Sequence, residues 1–464
     1  MLFNRNSAER NTHYLGLLNM KIIIAGAGEV GLHLAKQLSS EQHDITVIDI
    51  DEKALERTDA NTDVMTIASS STSIRALKDA GCEDADLVVG VTSNQSVNIN
   101  TTILAKKLGA KKTIARVATA EYIMEEHLEM FKSLGIDHLI YPEELAAFEI
   151  EKLIQRAAAT DVIEFEEGEL FLIGLKLDKK AKIIRQTIKQ LAQEHSGFDF
   201  RIAAIYRGIK TIIPSADDIL LPNDQIFVIT TKEGASEFVK LSGKEETKLE
   251  NIMILGGGRI GRKTARLLEK TANVKLIESN INKTTELADY LSKTLVIQGD
   301  GRDIDLLAQE GIVDMDAFIS VTDDTETNII TALMARHFGI EKTIAQVDNV
   351  DYIPLTQTIG LDSLINKKLI AANNISRFIR KTDVVSIATL QGIDAEVFEF
   401  NVSPGADVTK KPVKKLKFPP NAILGGYVRD GEGKIIVGDT QLMENDKVVV
   451  FALPGAIKKV EKLF

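Results

Sequence analysis

The chain has 464 residues, 44% hydrophobic and 27% charged, a globular balance with room for about three or four domains of ordinary size. Its formal net charge of −11 argues against a general affinity for nucleic acid or for an anionic membrane surface, since both need clustered lysine and arginine. The single cysteine, Cys82, permits no intrachain disulfide, and no apolar run approaches the roughly 18 to 20 residues that span a bilayer.

In chain order, residues 1–19 read as an N-terminal extension, either a disordered tail or an over-extended start, because Met20 directly precedes the first apolar strand. Short apolar strands then alternate with helical stretches. Strands are predicted at 22–25, 45–48, 64–67, 87–91 and 113–117, with helices at 30–39, 53–57, 74–80 and 97–108. This alternation predicts a parallel sheet wound on both faces over residues 20–158.

Between the first strand and the first helix stands Gly26-Ala27-Gly28-Glu29-Val30-Gly31, and Asp49 closes the second strand 18 residues past Gly31. Strand, glycine turn, helix and acidic residue together form a dinucleotide-binding fingerprint of the Rossmann kind. Gly26 permits the tight turn, Gly28 lets the backbone approach a pyrophosphate, and Gly31 lets helix and strand close up. Phosphates then meet N–H groups at the positive end of the helix. Asp49 would accept hydrogen bonds from ribose hydroxyls. A 2′-phosphate would meet it as a like charge, so NAD or an adenine nucleotide is favoured over NADP. Thr92 and Ser93 at the end of the fourth strand, and Arg116 at the end of the fifth, face the same crevice. Asp51 reads as a helix N-cap and Cys82 as a packing residue.

From 159 to 243 the texture changes to short β-branched runs at 170–177, 202–206, 209–213 and 226–231, which predict a small, mainly antiparallel domain. Leu221-Pro222-Asn223-Asp224 is a turn in it. The charged stretch 244–250 is the linker.

The order then repeats. Gly256-Gly257-Gly258-Arg259-Ile260-Gly261 stands 230 positions after the first glycine turn, with Glu278 lying 17 residues past Gly261. At the same offset Asp86 to Thr92 returns as Asp316 to Thr322, Asn98 as Asn328 and Tyr122 as Tyr352. At an offset of 222, Thr160-Asp161-Val162 returns as Thr382-Asp383-Val384 and Asn223-Asp224 as Asn445-Asp446. A second wound sheet is therefore expected over 251–380 and a second small domain over 381–464.

The copies differ where a ligand would lie. Gln346 replaces Arg116, Arg259 replaces Glu29 and recovers a charge inside the turn, and Gly299-Asp300-Gly301 faces Ser69-Ser70-Ser71. Asp300 and Thr322 join the second set of cofactor contacts, and the two sites should differ in ligand preference. No catalytic group is expected. The seven histidines form no motif, no Cys and His spacing suggests zinc, and no Ser-His-Asp order suggests a hydrolase. The nucleotide reads as a signal rather than a reactant.

Carried by these motifs, the chain from Met20 to Phe464 resembles the TrkA peripheral subunits of bacterial and archaeal Trk potassium uptake systems. The resemblance implies an α/β fold of two tandem Rossmann-like doubly wound parallel sheets, known as RCK or KTN domains, each followed by a small α+β TrkA-C domain. It implies a non-enzymatic, cytoplasmic regulator, peripheral to the inner face of the plasma membrane. Its partner would be a membrane potassium-translocating subunit of TrkH or TrkG type, over a homotetrameric ring that binds NAD(H) with ATP or ADP as alternative ligands. The serine run and Gln346 depart from the family pattern. An NAD-dependent oxidoreductase and a regulator of a different cation transporter are the rival readings.

Overall fold

The computed structural model describes residues 20–464 except 41–42, 156–158, 209, 244–248, 341, 354–358, 360, 362, 380–383, 391–394 and 454. The extension expected at 1–19 and most of the linker expected at 244–250 lie outside the described residues. Two compact units form, one running to Pro142 and including Lys368–Ile379, the other made of Glu143–Lys367 and Arg380–Phe464.

The first unit is a wound sheet. Strands β1 (Lys21–Ala25), β2 (Asp44–Asp49), β3 (Met65–Ala68), β4 (Leu87–Gly90), β5 (Lys112–Arg116) and β6 (His138–Ile140) run parallel in the order β3-β2-β1-β4-β5-β6. Helices α1 (Glu29–Ser40), α2 (Glu52–Asp59), α3 (Ile74–Asp79), α4 (Gln95–Leu108) and α5 (Glu125–Ser133) connect them. Ile22, Ile23 and Ile24 are all fully buried, because a central parallel strand is covered on both faces and so reads as a continuous apolar run. Strand order reverses between β1 and β4, which opens a crevice at their carboxyl ends beside the glycine turn. Asp51 caps α2 by accepting from the N–H groups of Lys53 and Ala54. Cys82 is buried among Ile23, Leu77, Val88 and Ala105, where burial, with the nearby Glu83, pushes its thiol up to about 11. It is an inert packing group.

The second unit opens with α6 (Pro142–Gln155), which enters it from Glu143 onward. A small antiparallel sheet follows, from β7 (Asp161–Phe165), β8 (Leu170–Lys176), β9 (Phe200–Arg207), β10 (Lys210–Ile212) and β11 (Gln225–Thr230), in the order β10-β9-β11-β8-β7. Helices α7 (Ile188–Glu194) and α8 (Lys232–Leu241) complete it. The second wound sheet has β12 (Asn251–Leu255), β13 (Asn273–Glu278), β14 (Leu295–Gln298), β15 (Ala317–Ser320), β16 (Lys342–Gln346) and β17 (Ser363–Ile365) in the order β14-β13-β12-β15-β16-β17. It repeats the first sheet strand for strand. Between these strands lie α9 (Arg259–Leu268), α10 (Ile281–Tyr290), α11 (Ile304–Gln309) and α12 (Thr325–His337). The last small sheet, of β18 (Val384–Thr389), β19 (Glu396–Asn401), β20 (Ala422–Arg429), β21 (Glu432–Ile435) and β22 (Lys447–Ala452), is again antiparallel. The two small sheets share one core, in which Phe165, Leu172 and Phe227 pack with Val397, Val449 and Phe451.

Helix α6 differs from expectation. The repeat suggests a boundary at 158, whereas the compact units divide at Pro142. Side chains explain the placement: the Glu143 and Glu144 carboxylates meet Arg259 and Lys263 on α9, and the Lys263 ammonium lies 5.7 Å from the centre of the Phe148 ring. In the first unit, likewise, the helix Lys367–Ile379 brings Lys368 to Glu29 and Ser376 to Gln37, and stacks Phe378 on His138 with ring centres 4.0 Å apart. Each repeat thus hands its sixth helix to the other repeat's wound sheet.

Candidate nucleotide-binding sites

In the first unit β1 stops at Ala25 and the chain turns through Gly26, whose φ of +119° is open to glycine and strained for other residues. A Cβ there would stand 2.9 Å from the backbone nitrogen of Thr92. At Gly31 a Cβ would lie 1.8 Å from the Gly26 carbonyl oxygen, so only glycine lets α1 close on the turn. Gly28 is the opposite case, since a Cβ on it would meet nothing within 4 Å. Its backbone therefore borders open space at the amino end of α1, a cradle that a side chain would fill and a phosphate can approach. Ala27, Glu29 and Val30 complete the turn and the start of α1, with Glu29 exposed and Val30 buried.

The second turn has the same geometry. Gly256 has φ of +104°, a Cβ on Gly261 would lie 1.8 Å from the Gly256 oxygen, and one on Gly258 would meet nothing within 4 Å. Ile260 is buried at the start of α9.

The two acidic residues do something that spacing alone does not reveal. Asp49 accepts from Ala27 N at 2.5 Å and from Asp51 N at 2.9 Å, and Glu278 accepts from Gly257 N at 2.9 Å and Asn280 N at 2.8 Å. Each carboxylate braces its glycine turn. Carboxylate oxygens have lone pairs left for hydroxyl donors.

Across the crevice a buried asparagine ties two strand ends together. Asn98 accepts from Thr92 N at 2.8 Å and donates to the Arg116 carbonyl at 2.9 Å; Asn328 accepts from Thr322 N at 2.9 Å and donates to the Gln346 carbonyl at 3.1 Å. Thr92 and Thr322 are thereby fixed by hydrogen bonds, while Ser93 is exposed beside its threonine. Arg116 is half-buried at the end of β5, whereas Gln346 is buried and donates to Asp348 at 3.1 Å.

Asp300 stands in the turn after β14, exposed and paired with Arg302 at 2.7 Å, which holds its carboxyl below the usual range. The same turn in the first copy uses neutral groups, Ser70 and Thr72, with hydroxyl oxygens 2.8 Å apart.

The second turn opens on two adjoining cavities. One of about 420 Å³ lies between Glu278, Ser279, Gly299 and Asp300. The other, of about 600 Å³, runs past Gly257, Gly258 and Arg259 to Gln346, Lys367 and Glu143. Lys283 and Asp323 line both. Volumes of this size suit the two halves of a dinucleotide.

One expectation needs correction. Arg259 does restore a positive charge inside the second turn, but Glu143 neutralises it at 3.3 Å. Glu143, Lys283, Asp323 and Lys367 were missed by the sequence reading. Lys283 lies in the first turn of α10, where no motif marks it, Asp323 is the counterpart of Ser93 at the offset of 230 and could have been found from it, and Glu143 comes from the other repeat.

Comparison with known proteins adds three findings. The TrkA-N domain matches residues 22–142 and 252–367, and the TrkA-C domain matches 172–243 and 397–464. The chain is 33% identical to the Trk system potassium uptake protein TrkA homolog 1 of Methanosarcina mazei, across 96% of this chain and 100% of that protein, and 33% identical to the Trk system potassium uptake protein TrkA of Vibrio alginolyticus, across 96% and 98%. In fold it is similar to a GsuK channel bound to NAD, with a TM-score of 0.58 at 18% identity, covering 98% of this chain and 82% of that one.

Proposed function

Because the chain belongs to the TrkA family, we propose that it is the nucleotide-sensing regulatory subunit of a potassium uptake system, acting on a membrane potassium-translocating subunit of TrkH or TrkG type. The observation that carries this reading is collinearity: both TrkA-N and both TrkA-C domains are present in order, and relatives named for Trk potassium uptake align over 96% of the chain. Among the described residues no helix is long and apolar enough to cross a membrane.

NAD(H), ATP and ADP are the proposed ligands. Gly28 and Gly258 offer their backbones to phosphate, Asp49 and Glu278 receive the ribose, and Arg116 meets negative charge at the first site. Regulation follows from differential binding: a nucleotide shifts the subunit toward whichever conformation binds it better, by no more than the difference in affinity. The proposed assembly is a homotetrameric ring at the cytoplasmic face of the membrane. Its support is an exposed apolar patch on α11 and α12, where Ile304 is 52% and Ile330 57% exposed around a cavity of about 310 Å³.

Calorimetric titration of the purified chain with NADH and ATP tests the reading. Saturable binding of either is expected, without turnover when NAD+ and a panel of hydroxy acids are added together. Steady oxidation of such a substrate would establish an NAD-dependent oxidoreductase instead.

A further inference from the structure

Resting on that nucleotide-binding reading, the geometry points to a division of ligands between the crevices: the first takes a nucleoside polyphosphate, the second takes NAD(H), and the exchanged residues Lys368 and Glu143 set the division. Around the exchanged helices the repeat runs at an offset of 225, with Leu139-Ile140 and Ala146-Ala147 returning as Leu364-Ile365 and Ala371-Ala372. Lys368 therefore occupies the position of Glu143. Their partners also match, since Glu29 and Arg259 each open the helix after a glycine turn. One ion pair thus occurs twice with its signs reversed, Lys368 on Glu29 in the first unit and Glu143 on Arg259 in the second.

The reversal changes what each crevice offers an anion. At the first turn the exchanged helix delivers a cation, and a phosphate arriving at the amino end of α1 competes with Glu29 for it. Arg116 adds a second cation at the end of β5. A chain of phosphates is matched by this pair.

At the second turn the exchanged helix delivers a carboxylate. Glu143 is 8% exposed, lines the cavity of about 600 Å³, and its Oε2 is buried without a hydrogen-bond partner. Gln346 stands where Arg116 would be, and Asp323 where Ser93 would be. Further phosphates beyond a pyrophosphate would meet Glu143 and Asp323 as like charges. Among the described residues four cations line the cavity: Arg259 pairs with Glu143 and Lys367 with Asp348, while Lys283 and Arg262 can neutralise a pyrophosphate. Beyond the pyrophosphate, NAD(H) carries an uncharged carboxamide whose N–H groups suit the acceptor-only Oε2 and the Gln346 amide.

Calorimetric titration of the full chain with ATP and, separately, NADH tests this in four variants. Gly28→Asp and Gly258→Asp block one cradle each, and a Cβ at either position meets nothing within 4 Å. Gly28→Asp should abolish ATP binding and leave NADH, with Gly258→Asp doing the reverse. Lys368→Ala should weaken ATP by about tenfold with NADH unchanged, since it removes one charge-assisted contact. Glu143→Gln should weaken NADH and leave ATP unchanged. Thermal melts within a few degrees of the parent confirm folding, and Lys368→Ala, on the exchanged helix, keeps the test available if a glycine variant melts early. If both ligands bind the parent but each block removes half of both, the division is wrong while nucleotide sensing stands. If neither ligand binds the parent, both fall.

Discussion

At the scale of single residues, Asp49 and Glu278 combine two tasks that are usually discussed apart. By accepting from the N–H groups of Ala27 and Gly257 they hold the glycine turn in shape, and in the proposed reading they also set a negative charge beside the ribose. NADH should therefore bind at least about tenfold tighter than NADPH, a difference of ~1.4 kcal/mol or more. In Glu278→Gln, competitive fluorescence titration should show the gap narrowing, and equal affinities in the parent protein would refute the ribose assignment. Glu269 illustrates the same chemistry in a structural role. Burial alone would raise its pKa, but hydrogen bonds from Lys293 N, the Arg266 guanidinium, the Thr294 hydroxyl and Ser292 N outweigh it and bring it from 4.5 to about 2. Its folded pKa is depressed, so its stabilisation is complete above pH 4.5 and is lost as pH falls toward about 2. The difference in melting temperature between the parent and Glu269→Gln should shrink through that window; a difference that stays constant would show that the carboxylate's ionisation contributes nothing. The glycine turns and their carboxylates were legible in the sequence because strand, turn, helix and acid follow one another within about thirty residues. Glu143 was not, because more than a hundred residues separate it from Arg259 and no local spacing connects them.

At the scale of elements, the wound sheets were legible from the alternation of apolar strands with helical stretches, yet β6 and β17 were not. Each has three residues, too few for a periodic signal, and each sits at a sheet edge where only one neighbour demands its pattern. The ownership of α6 was equally hidden, since the repeat marks where a helix lies and not which sheet it packs on. The small domains show how a repeated pair of letters becomes a structural device. Asn223 and Asn445 both turn the chain with φ of +67°, and the Asp224 and Asp446 that follow are buried and held in two-pronged pairs by Arg207 and Arg429. Each aspartate also accepts a backbone N–H, from Leu221 and Met443 respectively. Asp224→Ala would leave that N–H without its acceptor and the half-exposed Arg207 with only the Ile219 carbonyl, so urea melts should show a loss of about 2 kcal/mol. A loss below about 0.5 kcal/mol would mean that water replaces the carboxylate without cost.

At the scale of the whole molecule, the duplicated chain is not two equal halves. The matched crevices differ in charge at the turn, at the end of the fifth strand and in the exchanged helix, which fits a regulator that compares ligands better than one that counts a single ligand twice. The apolar patch on α11 and α12 is more polar in the other copy, where Asn100 and Lys107 take the places of Ile330 and His337 while Ile74, Ile103, Leu104 and Leu108 keep the remaining positions apolar. If that patch closes the proposed ring, light scattering should give four chains per particle at micromolar concentration, and Ile330→Asp should yield smaller particles; a monomeric parent would count against the ring. The claim on which all of this depends is that nucleotide occupancy of the glycine crevices controls potassium movement. Potassium uptake by cells that lack their own regulatory subunit and express this chain with its membrane partner tests it most directly, comparing the parent with the double variant Gly28→Asp and Gly258→Asp at high and low internal NADH and ATP. The double variant should remain folded and bound to the partner while uptake stops responding to either nucleotide, and an undiminished response would contradict the account.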